Sequence, residues 1–197
     1  MKIIAATKNK GKIAEIQKIL GRLDMEIVSQ ADAGINVDIE ETGATFAENA
    51  LLKARAVALL CDEPVLADDS GLCIDALNGR PGIYSARYAG EDATDAEKME
   101  KILEEMAGKS QRKARFVSVV ALILPDGDEI TAEGAVEGHI TERPVGLDGF
   151  GYDPIFYCDE LQKTFGEASA EEKNKISHRG RALEALYQKI ANRMGEE

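Results

Sequence analysis

Short apolar runs along this chain alternate with stretches in which apolar residues recur every three or four positions, the two spacings that separate strands from helices. Lys2-Ile-Ile-Ala-Ala6 reads as a strand, and Ile13, Ile16, Ile19 and Leu20 then fall on one face of a helix that Gly21 can stop. Thr45-Phe-Ala-Glu48 has the capping-box pattern and opens a helical run through Leu60. The segment 64–72 starts as a buried strand, and its apolar part ends abruptly at Asp68 and Asp69. A further strand and a loop containing Pro81-Gly82 fill 71–87. Thr94-Asp-Ala-Glu97 repeats the capping device before a helix that Gly108 can close. Residues 114–124 are apolar and β-branched, and Pro125-Asp-Gly-Asp128 signals a hairpin into 129–141. Leu183, Leu186, Ile190 and Met194 share one face of a last helix that starts at His178. Crossover helices together with a hairpin predict a mixed α/β protein. At 197 residues it can hold one core, or two lobes sharing a cleft. No repeat, low-complexity segment or linker divides it, so a single two-lobed domain over 1–197 is expected.

Composition narrows the classes. The chain is 44% hydrophobic and 30% charged, ordinary values for a soluble globular protein. No apolar stretch approaches the ~20 residues that span a bilayer, so no membrane role is expected. The chain opens directly on a strand-like segment, with nothing resembling a signal peptide. Its three cysteines, Cys61, Cys73 and Cys158, never form a Cys-x-x-Cys pair, which argues against a disulfide framework and a structural zinc site. Both features predict a cytoplasmic protein. A net charge of −12 argues against a nucleic-acid partner. It leaves room for a small polyphosphate, because local charge governs there and Lys8, Lys10, Lys12, Lys53, Arg55, Lys173, Lys175 and Arg179 cluster near the candidate segments.

The chemistry begins with Ala67-Asp-Asp-Ser-Gly71. Adjacent carboxylates repel each other and lose hydration unless something positive sits between them and a ligand. A divalent metal is the usual answer, and one beside a hydroxyl and a glycine suits phosphate chemistry. Taken alone, the same residues also compose an ordinary surface turn. Thr7-Lys-Asn-Lys-Gly-Lys12 lies between a strand and a helix start, where free N–H groups and the positive end of the helix dipole favour an anion. It is not a P-loop, having one glycine and no Gly-Lys-Ser/Thr ending. Ile39-Glu-Glu-Thr-Gly43 offers further carboxylates, which the dipole of the following helix would also favour with no metal present. Gly149-Phe-Gly-Tyr-Asp-Pro154 combines glycines that permit close backbone approach with an aromatic face for a purine. Ser177-His-Arg-Gly-Arg181 places cations at a helix start, against the dipole, and so calls for an anion or a hydrogen-bonding ligand nearby.

Taken in order, these blocks closely resemble the inosine triphosphate pyrophosphatase family, and its bacterial members most of all. The blocks are Thr7-Lys-Asn-Lys-Gly-Lys12; Glu40-Glu-Thr-Gly43 with Phe46-Ala-Glu-Asn-Ala50; Ala67-Asp-Asp-Ser-Gly71 with Pro81-Gly-Ile-Tyr-Ser-Ala-Arg87; Gly149-Phe-Gly-Tyr-Asp-Pro154; and Glu172-Lys-Asn with Ser177-His-Arg-Gly180. The resemblance implies a long central mixed β-sheet flanked by helices, with two lobes around a substrate cleft, assembled as a homodimer. It implies Mg²⁺-dependent hydrolysis of the non-canonical purine nucleoside triphosphates ITP, dITP and XTP to monophosphate and pyrophosphate, which keeps modified purines out of DNA and RNA. By the same resemblance Thr7, Lys8, Asn9, Lys10, Gly11 and Lys12 hold the triphosphate. Glu40 and Asp69 form the acidic metal site, with Asp69 also the proton acceptor. Ser70 and Lys173 contact substrate, while Phe150, Gly151, Tyr152, Asp153, His178 and Arg179 bind the purine, Phe150 by stacking.

A carboxylate bound directly to Mg²⁺ has its pKa pushed down, which weakens it as a base. The preferred arrangement therefore has Glu40 with Asp68 and Asp69 holding Mg²⁺, directly or through water. Asp69 then activates a water against the α-phosphorus, and Lys8, Lys10 and Lys12, with Lys53 as a possible extra, stabilise the leaving pyrophosphate. A 6-oxo purine is selected if donors such as Arg179 or backbone N–H groups face C6, where adenine carries an amino group. A related pyrophosphatase acting on modified pyrimidines, or a sensor that binds a triphosphate without cleaving it, are the competing readings.

Overall fold

The computed structural model describes residues 1–195; the side chains of Arg22 and Met194 lie outside the described set, and with them the expectation that Met194 joins the last helix's apolar face. Strands β1 (Lys2–Ala5), β2 (Glu26–Ser29), β3 (Val65–Ile74), β4 (Lys113–Ile123), β5 (Glu129–Ile140), β6 (Phe156–Cys158) and β7 (Lys163–Thr164) form one seven-stranded sheet in the order β2-β1-β3-β4-β5-β6-β7. The sheet is mixed. β1 runs parallel to β2 and β3, pairing Ile3 with Ile27 and Ile4 with Val65, whereas β5–β6 and β6–β7 are antiparallel. The helices are α1 (Lys10–Leu20), α2 (Phe46–Ala58), α3 (Asp95–Glu105), α4 (Ala170–Ile176) and α5 (His178–Gly195). No described helix is long and apolar enough to cross a membrane.

The chain divides into two compact units. One comprises 1–69, 118–134 and the last helix from Arg179 on; the other comprises 70–117 and 135–178. Because side chains alternate along a strand, the first unit has a core on each face of its strands. Ile3, Ala5, Leu66, Val120 and Leu122 pack with Ile16 and Leu20 of α1 and with Leu183, Leu186 and Ile190 of α5. Their neighbours Ile4, Val65, Ala67, Ala121 and Ile123 pack instead with Ala50, Ala54 and Val57 of α2. Covering both faces explains the near-continuous apolar reading of β3 and β4. Each fully buried Leu or Ile there contributes about 1.5–3 kcal/mol. The second unit gathers Leu72, Ile74, Ile102, Met106, Phe116, Tyr152, Phe156 and Phe165 around one core.

Several boundaries differ from the sequence reading. β3 does not end at the acidic pair but runs on to Ile74, so Asp68 and Asp69 lie inside a strand. The cap of α2 is shifted: Thr45 Oγ accepts the Glu48 N–H, but the Glu48 carboxylate reaches the N–H of Ala44. Helix α2 stops at Ala58, leaving Leu59 and Leu60 exposed beyond it. The Thr94–Glu97 capping box forms completely. A second complete box, Ser169 with Glu172, starts α4, a helix the apolar periodicity did not reveal because it is only seven residues long. The hairpin turn forms as expected, with Gly127 N–H on the Leu124 carbonyl and Gly127 at φ +90°.

Candidate functional site

Asp68 and Asp69 are adjacent in β3, so the strand's alternation sends them to opposite faces of the sheet. Asp68 follows Leu66 onto the α1/α5 face, where it is fully buried. Its Oδ2 lies 2.7 Å from Lys12 Nζ, and its Oδ1 accepts the Ser118 hydroxyl at 2.5 Å. The Arg179 guanidinium meets it with two nitrogens, Nε 3.3 Å from Oδ1 and Nη2 3.3 Å from Oδ2, and turns Nη1 to Glu15. Burial alone would raise the Asp68 pKa, but Arg179, Lys12 and Ser118 hold it well below the usual carboxylate range. For Lys12 burial wins: its pKa is lowered even though Asp68 opposes the shift. Burial works against Arg179 too, yet Asp68 and Glu15 raise its pKa, so it stays charged at 1% exposure.

Asp69 follows Ala67 onto the α2 face and is also buried. Lys53 of α2 stands between two carboxylates, 2.6 Å from Glu41 Oε1 and 3.5 Å from Asp69 Oδ1. Burial raises the Asp69 pKa, and Lys53 and Lys12 only partly offset it. The Lys53 pKa is raised despite burial, because Asp69 and Glu41 favour its charge. The turn carrying Glu40 and Glu41 is fixed from α2, where the buried Asn49 side chain accepts the Gly43 N–H at 2.8 Å. A Cβ on Gly43 would come within 2.7 Å of that Asn49 oxygen, so the turn needs glycine to close this tightly.

The second unit holds the glycine-rich aromatic loop. Gly149 and Gly151 adopt positive φ, and a Cβ on Gly149 would stand 2.1 Å from Asp153 Oδ2. The buried Asp153 side chain accepts the Phe150 N–H at 2.8 Å and forms a 2.6 Å ion pair with Lys173 of α4. Lys173 Nζ also lies 4.6 Å from the centroid of the Phe150 ring and 5.5 Å from that of Phe165, within cation–π range. Tyr152 donates its hydroxyl to the Ser85 carbonyl at 2.7 Å. The Gly151 N–H is accepted by Asp95 at 2.7 Å. His178 stacks on Phe116, with ring centroids 4.8 Å apart, and is buried.

The structure sorts the residues picked from sequence. Within the first unit, Lys12, Lys53, Asp68, Asp69 and Arg179 converge about the middle of β3. In the second, Phe150, Gly151, Tyr152, Asp153 and Lys173 form one bonded group. Asn9 caps α1, its side chain accepting the Lys12 N–H at 3.1 Å, so that N–H is already engaged. Thr7 Oγ accepts the Asn9 N–H at 3.2 Å. Lys8 pairs with Asp38 on the surface, Lys10 is exposed at the start of α1, and Gly11 is half-buried within the helix. Ser70 is half-buried in β3, and Glu40 is exposed.

The cations at the start of α5 do not demand an external anion, because Asp68 and Glu15 answer Arg179 within the fold. Asp68 has both oxygens engaged by Lys12, Arg179 and Ser118, so it serves as an anchor rather than as a carboxylate directed at a metal. Sequence reasoning passed over Glu15, Ser118 and Asp95, and of the Glu40-Glu41 pair it assigned the metal role to Glu40, whereas Glu41 is the one paired with Lys53. Glu15 lies three residues after Lys12, on the same helix face. Ser118, a polar residue inside a buried apolar strand, was a legible signal as well.

Among the described residues, no three His, Cys, Asp or Glu side chains are grouped to hold a metal ion. Mg²⁺ does not require such a cage: it commonly takes one or two carboxylates and fills its shell with water and substrate phosphate. The hard oxygen donors of Asp69 are of the kind that pattern uses. The raised proton affinity of Asp69 marks a place where added positive charge would be favourable.

A model described as the Ham1 family matches residues 3–189 of the chain. The dITP/XTP pyrophosphatase of Halalkalibacterium halodurans is 54% identical over 185 residues, covering 93% of this chain and 95% of that protein. The dITP/XTP pyrophosphatase of Bacillus subtilis is 51% identical, covering 93% of each chain. Among solved structures, the Ham1 protein of Staphylococcus aureus superposes with a TM-score of 0.86 at 43% identity over 100% of both chains. A HAM1 protein from Coxiella burnetii superposes at 0.87 with 46% identity, over 98% and 99%. The family model, the relatives and the superposed structures agree over nearly the whole chain, and the chain belongs to the Ham1 family.

Proposed function

We propose that this chain is a nucleoside triphosphate pyrophosphatase that hydrolyses ITP, dITP and XTP to the monophosphate and pyrophosphate. Its relatives bear the name dITP/XTP pyrophosphatase. The observation that carries the reading is Asp69, a buried carboxyl of raised proton affinity flanked by Lys53 and close to Lys12. Such a group accepts a proton near neutral pH more readily than an exposed aspartate. Attack of water on the α-phosphorus breaks the bond to the bridging oxygen, releases pyrophosphate and leaves a proton for Asp69.

The 7–12 loop and the start of α1 take the triphosphate, with Lys12 and Lys53 set against the charge that grows on the leaving pyrophosphate. Lys8 and Lys10 add a longer-range positive field. Glu40 and Asp69 would hold Mg²⁺, Asp69 through a water so that its carboxylate keeps its basicity, and the ion when bound neutralises phosphate charge and polarises the phosphoryl oxygen. Ser70 contacts the substrate from the same strand. Phe150 stacks on the purine, with Lys173 beneath it and Gly151, Tyr152 and Asp153 shaping the loop. His178 and the backbone N–H groups where α5 begins face the C6 carbonyl and disfavour adenine's amino group, while Arg179, held by Asp68 and Glu15, anchors that helix start. On this reading residues 1–197 are a nucleoside triphosphate pyrophosphatase in a cytoplasmic homodimer.

The test is to incubate the protein with ITP, XTP, dTTP, GTP and ATP, with Mg²⁺ or with a chelator, and to identify the phosphorus products. Monophosphate and pyrophosphate formed fastest from ITP and XTP, and only with Mg²⁺, are expected. Inorganic phosphate with the diphosphate would overturn the site of attack. Preference for dTTP would overturn the purine reading.

A further inference from the structure

Phe150 can act on a purine only if its ring is held at one height and angle, and the loop carrying it is poorly suited to hold itself. Gly149 and Gly151 flank the ring at φ +80° and +63°, and glycine loses more freedom on ordering than any other residue. Lys173 lies against the ring, and hydrogen bonds tether the loop further. Asp153 accepts the Phe150 N–H from three residues away, and the Tyr152 hydroxyl reaches the Ser85 carbonyl. The third comes from Asp95, 56 residues earlier at the start of α3, whose Oδ2 accepts the Gly151 N–H at 2.7 Å. The other oxygen, Oδ1, is held 2.7 Å from Lys98 Nζ one turn along the helix, which fixes the orientation of the carboxylate. The Thr94–Glu97 capping box forms without Asp95, so its carboxylate is not needed to start the helix.

We propose that Asp95 is a positioning residue that, through the Gly151 N–H, sets the Phe150 ring for the purine; this rests on the base-stacking reading above. A charge-assisted bond from a rigid helix removes freedom the loop would otherwise lose when substrate binds. Its effect belongs in substrate binding rather than in the chemical step. The carboxylate also suits the task electrostatically. Burial would raise its pKa, but Lys98 and the Gly151 N–H lower it, so it remains an ionised acceptor at assay pH.

The experiment compares wild type, Asp95→Ala, Asp95→Asn, Phe150→Ala and the Asp95→Ala/Phe150→Ala pair on ITP with Mg²⁺, with thermal unfolding as a control. Asp95→Ala should raise KM roughly tenfold with kcat within about twofold, the loss expected for one charged hydrogen bond. Asp95→Asn, still an acceptor, should recover most of that. In the Phe150→Ala background Asp95→Ala should add little, because the two act through one ring. An unchanged KM in Asp95→Ala beside a raised KM in Phe150→Ala would overturn this inference and leave the stacking reading intact, as would full additivity. An unchanged KM in Phe150→Ala would remove both. Should Asp95→Ala unfold, Asp95→Ser keeps an ordinary helix-start residue, shortens the acceptor out of reach, and is read in the same way.

Discussion

Arg179 and Asp68 face each other in a two-point ion pair, Nε 3.3 Å from Oδ1 and Nη2 3.3 Å from Oδ2, both side chains buried. The pair ties the start of α5 to the middle of β3, and Glu15 and Lys12 of α1 join the same network. Removing one partner leaves an uncompensated buried charge, so Asp68→Asn should lower stability by about 3–5 kcal/mol at pH 7. Arg179→Lys should not rescue an Arg179→Ala loss, because an ammonium cannot make the two-point contact.

The same pair predicts a pH dependence. The folded pKa of Asp68 is depressed, so its contribution is fully present above the unfolded carboxylate value and fades as pH falls through the folded one. Urea midpoints of wild type and Asp68→Asn should therefore differ most near neutrality and converge on acidification. A gap that stays constant from pH 7 down to about 3 would contradict the assignment.

Asp69→Asn keeps the shape of the side chain and removes the proton acceptor. Turnover of ITP should fall about 10²- to 10⁴-fold with KM changed far less. A variant retaining most of its turnover would exclude Asp69 as the base.

Lys53 stands between Glu41 and Asp69, and its charge opposes the upward shift that burial imposes on Asp69. In Lys53→Met the Asp69 pKa should climb further. The acid limb of the kcat/KM profile should then move to higher pH, and the activity lost should be partly regained as pH rises. Equal loss at every pH would mean that Lys53 acts on the phosphates alone.

Lys173 is buried against Asp153 and beneath Phe150. Lys173→Met should both lower the unfolding temperature, by stranding the Asp153 carboxylate, and raise KM for ITP by loosening the ring. A raised KM with unchanged stability would instead favour direct contact between Lys173 and substrate.

Much of this molecule was legible in its residues. The periodicity of Ile16 and Leu20 and of Leu183, Leu186 and Ile190 marked the first and last helices, because a helix that packs on a sheet must carry an apolar stripe. The turn at Pro125-Asp-Gly-Asp128 and the box at Thr94–Glu97 are local hydrogen-bonding chemistry, which few residues can write. The ordered blocks from Thr7 to Arg179 marked the family. Glu40 and Glu41 were read together as a carboxylate pair, and because they are chemically identical only the fold could show that Glu41 is the one paired with Lys53.

What the sequence alone determined was which residue types carry the chemistry, and in which local elements. The tertiary structure decided how those residues are divided. Asp68 and Asp69 read as one acidic pair, yet β3 continues through them and its alternation turns one toward α1 and α5 and the other toward α2. One carboxyl is thereby locked in its charged form by Arg179 and Lys12, and the other is left buried and eager for a proton. Arg179 read as a cation awaiting a ligand, and the fold supplied Asp68 and Glu15 from 111 and 164 residues away. Local propensity acts over a few residues, whereas the balance between desolvation and charge pairing depends on groups that only the folded chain brings within a few ångströms.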